Sequence, residues 1–104
     1  MLDFEGTRLD DLQKQALDHA LSDIHAPVYL FGSRAVPTKK GCDVDIQVIS
    51  DELFCDHFKK SLKIIHSFQA ICEEKIDVVI FPDYAHQSPV QKDFFDHVTK
   101  KQLK

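Results

Sequence analysis

The chain has 104 residues, 43% of them apolar and 29% charged, the composition of an ordinary globular protein, and its length predicts one domain over 1–104. Asp and Glu number 17 against 13 Lys and Arg, a formal charge of −4, which argues against the broad basic footprint of a nucleic-acid binder. Cys42, Cys55 and Cys72 form no Cys-x-x-Cys pair and no zinc-spaced run with histidine, so neither a disulfide framework nor a structural zinc is expected, and a reducing, cytoplasmic setting fits. An acid-rich start replaces the basic and apolar regions of a signal peptide, and no apolar run approaches the roughly 20 residues that span a bilayer.

Leu9, Leu12, Ala16, Leu17, Ala20, Leu21 and Ile24 recur at three- and four-residue steps and predict an amphipathic helix over about 8–24, capped by Thr7 or Asp10 and stopped by Pro27. Val28-Tyr29-Leu30-Phe31 follows as a continuously apolar strand, which suits a central place in a sheet, and Gly32 ends it. Ser33 to Val36 can form one helical turn before Pro37, and Thr38 to Gly41 reads as a basic loop.

From Asp43 to Ser50 the residues alternate, with Val44, Ile46 and Val48 on one face and Asp43, Asp45 and Gln47 on the other. A helix is then expected from Ser50, with Phe54, Phe58, Leu62, Ile65, Phe68 and Cys72 as its buried stripe. Lys75 to Phe81 predicts a third strand, with Asp77, Val79 and Phe81 facing away from Ile76, Val78 and Ile80. Ser88-Pro89 is an N-cap with proline in the first turn, opening a last helix through Val90, Phe94, Phe95 and Val98 toward Leu103, with Lys100, Lys101 and Lys104 at its negative end. The order αβ(α)βαβα predicts an α/β (α+β) domain with a small mixed sheet of about three strands packed with helices.

Chemistry concentrates at Gly32-Ser33 and at Asp43-Val44-Asp45, ten positions after Ser33, with Asp77 in the following strand. Carboxylates at i and i+2 on a strand lie about 6.6 Å apart on one face, close enough to share a divalent ion or a pair of ions. Oxygen-only donors that leave room for water and phosphate suit magnesium better than zinc. Glycine allows close approach of a phosphate, Ser33 adds a hydroxyl and an N–H, and Arg34, Lys39 and Lys40 are near in sequence. The six histidines are scattered without ligand spacing, and Cys42 reads as a packing residue.

The combination Phe31-Gly32-Ser33-Arg34-Ala35, Cys42-Asp43-Val44-Asp45-Ile46 and Ile76-Asp77-Val78-Val79 resembles the nucleotidyltransferase superfamily related to DNA polymerase β, in particular its minimal nucleotidyltransferases. Pro37 stands where that family often has glycine, and Cys42 replaces a common serine. The resemblance implies the polymerase β palm-like fold over nearly the whole chain. It implies that Asp43, Asp45 and Asp77 bind two Mg2+ ions, with Asp77 also drawing the proton from an attacking hydroxyl. Gly32 and Ser33 would hold the triphosphate of ATP, assisted by Arg34, Lys39 and Lys40. It further implies transfer of AMP to a tyrosine of a HEPN-domain toxin, with this chain as the antitoxin. A non-catalytic antitoxin that acts by occlusion and a transferase acting on an aminoglycoside-like small molecule are the alternative expectations.

Overall fold

The computed structural model describes residues 2–7, 9–31, 44–98 and 100–104. Helix α1 (Asp11–Ala20) leads into strand β1 (Val28–Phe31), and β2 (Val44–Ile49) is followed by a short helix α2 (Asp51–Phe54) and by α3 (His57–Gln69). Strand β3 (Ile76–Phe81), a 3-10 turn (Tyr84–His86), helix α4 (Pro89–His97) and strand β4 (Lys100–Gln102) complete the order. The sheet runs β3-β2-β1-β4, with β2 and β3 parallel and the other two pairings antiparallel. None of the described helices is long and apolar enough to cross a membrane.

Alternation along the strands sorts the sheet into two faces. Val28, Leu30, Val44, Ile46, Val48, Ile76 and Ile80 form one buried surface, against which Ala16, Leu17, Ala20 and Leu21 of the α1 region and Ile64 and Phe68 of α3 pack. Tyr29, Phe31 and Phe81 face the opposite way and meet α4 through edge-on ring contacts, Tyr29 with Phe95 at 5.2 Å, Phe31 with Phe94 at 5.5 Å and Phe81 with Phe94 at 5.8 Å. The result is three layers, α1 and α3 below the sheet and α4 above part of it.

The apolar β1 takes the interior position its composition predicts, between β2 and β4. The first helix starts later than expected because Asp10 and Gln13 form a capping box that places its first residue at Asp11, and it ends earlier, at Ala20. Gln13 is buried and reaches the Glu74 carboxylate, while Leu12, expected in the buried stripe, is exposed.

The single helix expected from Ser50 is broken at Cys55–Asp56, where Asp56 leaves helical geometry (φ −132°, ψ 40°). Restarting at His57 resets the helical phase. Ile64, Phe68 and Cys72 become the buried line, and Phe58 is turned out to 72% exposure and Leu62 to 39%. A stripe counted from Phe54 through Phe58 assumed one phase throughout, and that assumption fails.

The last helix also departs from expectation. It opens at Ser88 and Pro89 as predicted, with a Ser88–Gln91 capping box, but ends at His97, and Val98 is already extended. The chain then returns as a fourth strand that covers the open edge of β1. Leu103 is buried in the sheet's core, its N–H donating to the Val28 carbonyl at 2.8 Å and its own carbonyl accepting from Asp3 N–H at 2.8 Å. Lys100 still meets the helix end, because its ammonium donates to the Phe95 carbonyl and sits 4.4 Å from the centre of the Phe95 ring.

Candidate metal and nucleotide site

Strand pairing brings Asp45 and Asp77 together. In the parallel β2–β3 ladder they are register partners, and Phe31 is the partner of Asp45 on the other side, so the row Phe31–Asp45–Asp77 crosses three strands on the α4 face. Parallel neighbours lie about 4.8 Å apart, and partners in register project to the same side. Asp45 is half-buried and Asp77 exposed, so the row passes from the aromatic cover of α4 into solvent. Like charges directly opposite one another on adjacent strands repel. A cation between them turns that cost into coordination, and an oxygen-only donor pair suits a hard divalent ion such as magnesium.

The other expected site residues, Asp43, Gly32, Ser33, Arg34, Lys39 and Lys40, lie outside the described residues, as do the turn and loop expected over 33–41 and the departures at Pro37 and Cys42. The described chain fixes where that segment leaves and returns: at Phe31 beside Asp45, and at Val44 next to it in sequence.

A second acidic group stands apart from the residues expected in the site. Asp51, Asp83 and His86 bring one ligand atom each within 4.8 Å of one another. The Asp83 N–H donates to Asp51 Oδ1 at 2.9 Å, and His86 Nδ1 lies 2.6 Å from Asp51 Oδ2. The Asp83 N–H and, after it, His86 hold the Asp51 carboxyl below its ordinary range, against an opposing effect of burial. Asp51 and Asp83 stand two residues beyond the register partners Ile49 and Phe81, so the parallel ladder that pairs Asp45 with Asp77 also delivers this pair, at the opposite end of the strands. Six positions along the chain separate Asp45 from Asp51 and Asp77 from Asp83. Both aspartate pairs share one sequence offset, a signal that becomes readable only once the parallel register is known.

Comparison with protein families decides the broader assignment: residues 14–100 match the model described as Polymerase beta, Nucleotidyltransferase. The chain belongs to this nucleotidyltransferase family. The match covers most of the domain, from α1 to the first residue of β4, and so includes the Asp45–Asp77 row and the whole of the 32–43 segment. The mixed four-stranded sheet with its helices agrees with the nucleotidyltransferase fold. Membership implies a nucleotide substrate and a transferase activity, and such domains typically employ divalent metal. A search among curated proteins returned no significant match.

Proposed function

We propose that this nucleotidyltransferase moves a nucleoside monophosphate, AMP from ATP, onto a hydroxyl of a partner protein, and that Asp43, Asp45 and Asp77 form its metal-binding carboxylate set. The observation that carries this reading is the register pairing of Asp45 with Asp77 on one sheet face, within a chain matched to the family from residue 14 to 100. The donor set fits Mg2+, which when bound by these carboxylates supplies neutralisation of phosphate charge and orientation of the leaving pyrophosphate.

The chain's own residues divide the remaining work. Asp77, the more exposed of the pair, receives the proton of the acceptor hydroxyl as its oxygen bonds to the α-phosphorus and the bond to the pyrophosphate oxygen breaks. Asp45, partly covered beside Phe31, serves as the fixed ligand of the pair. Gly32 and Ser33 accommodate the triphosphate, with Arg34, Lys39 and Lys40 adding positive charge around it.

The acceptor we assign is a tyrosine of a HEPN-domain toxin, with this chain as its cytoplasmic antitoxin. In this reading the partner chain positions the acceptor hydroxyl. The test incubates the protein, Mg2+ and a co-expressed HEPN partner with ATP labelled at either the α- or the γ-phosphate. Label on the partner from α-labelled ATP alone supports nucleotidyl transfer. Neutralisation of the partner without any label favours occlusion, and label on an aminoglycoside but not on protein favours a small-molecule transferase.

A further inference from the structure

Gln47 is wholly buried, and among the described residues neither its Oε1 nor its Nε2 has a hydrogen-bond partner. It occupies the middle of β2, on the face that carries Asp45, with Tyr29 and Val79 as its register partners. Phe94 explains the burial. Its ring meets Phe31, in the row of Asp45, and Phe81, in the row of Ile49, so it lies across the intervening row that Gln47 occupies.

Such a residue is costly in the fold as it stands. An orphaned buried amide loses about 1–3 kcal/mol of desolvation without recovering a bond. A leucine or methionine would fill the same space under Phe94 without that loss. Orphaned groups of this kind call for a role in another state of the protein. The nearest acidic group along its own strand is Asp45, two residues away on the same face, a separation of about 6.6 Å that a glutamine side chain spans.

We propose that Gln47 is a positioning residue for Asp45, its amide N–H donating to the carboxylate when that carboxylate binds a divalent cation. The proposal rests on the reading of Asp45 as a metal ligand given above. Having no other bond to surrender, the amide can turn to Asp45 without a compensating loss, and under the Phe94 ring a charge-assisted bond is shielded from competing water. Groups that hold a metal ligand in place from behind change metal affinity by about 10- to 100-fold when removed.

The experiment compares wild type, Gln47→Met and Asp45→Asn by Mn2+ titration in the presence of a non-hydrolysable ATP analogue, reading free Mn2+ by electron paramagnetic resonance, together with the thermal midpoint of each ion-free protein. The expected result is a Gln47→Met protein at least as stable as wild type that binds Mn2+ about tenfold or more weakly. Mn2+ affinity unchanged in Gln47→Met but lost in Asp45→Asn overturns the role of Gln47 and leaves the metal assignment standing. Affinity unchanged in both variants overturns the metal assignment, and the proposal with it. In the wild-type protein, a downfield shift of one Gln47 side-chain amide proton on adding Mg2+ and the analogue supports the bond even if the variant does not fold, and an unmoved resonance at saturation contradicts it.

Discussion

Asp45 and Asp77 are register partners on neighbouring parallel strands, so two carboxylates separated by two helices and 31 intervening residues share one row of the sheet. Like charges in register on adjacent strands repel one another. Replacing Asp77 with asparagine is therefore expected to leave the ion-free protein as stable as wild type, within about 0.5 kcal/mol or on the favourable side. The same variant should lose the stabilisation that Mg2+ and ATP confer on wild type, by the ordinary linkage of ligand binding to folding. Paired thermal melts with and without Mg2+ and ATP check both halves.

Phe58 and Phe68 separate the observed α3 phase from the one expected from an unbroken helix. Phe68 is fully buried and Phe58 is 72% exposed. Phe68→Ala should cost about 3–5 kcal/mol by cavity formation, and Phe58→Ser should stay within about 0.5 kcal/mol of wild type. Urea unfolding of the two variants measures the difference, and similar losses from both would restore the continuous helix.

The C-terminal strand makes a different demand. Leu103 is buried, its N–H donates to the Val28 carbonyl and its own carbonyl accepts from the Asp3 N–H, so the C-terminal segment closes the β1 edge and ties down the N-terminal segment. Leu103→Ala should destabilise the domain by about 2–5 kcal/mol, a cost that a residue on a fraying terminal helix would not carry. Amide exchange of Val28 should accelerate in the same variant, because its N–H donates to the Lys104 carbonyl.

Asp51 sets a pH dependence whose sign follows from its lowered pKa. A carboxyl depressed in the folded state contributes stability that is complete above its unfolded value, about 3.9, and is lost as pH falls through the folded value. Asp51→Asn should therefore be less stable than wild type at neutral pH, and the gap should narrow as pH falls below about 4. Urea melts at neutral pH and at pH 3 provide the check.

Much of this domain is written in local patterns. The strand spans, the Ser88-Pro89 helix start and the central place of Val28 to Phe31 follow from alternation, capping and apolar runs, and each reappears in the structure. The break at Cys55–Asp56 was hidden because Phe54, Phe58 and Leu62 mimic a continuous stripe, although two of the three end up outside. Strand β4 was hidden because Lys100, Lys101 and Gln102 carry no apolar alternation and are drawn into the sheet by the open edge of β1, which is a tertiary demand. At the candidate site, the face shared by Asp77 with Val79 and Phe81 was legible, whereas the alignment of Asp45 with Asp77 and of Asp51 with Asp83 depends on a parallel register that no local pattern encodes.

The central claim, nucleotidyl transfer supported by the Asp45–Asp77 row, is tested most directly by following α-labelled ATP in the presence of Mg2+ and the co-expressed partner, with wild type, Asp45→Asn and Asp77→Asn side by side. The account predicts label on the partner with wild type and a loss of at least about a hundredfold with either variant, the scale on which removing a group that acts in the transition state is felt. Label transferred equally well by all three proteins would contradict it.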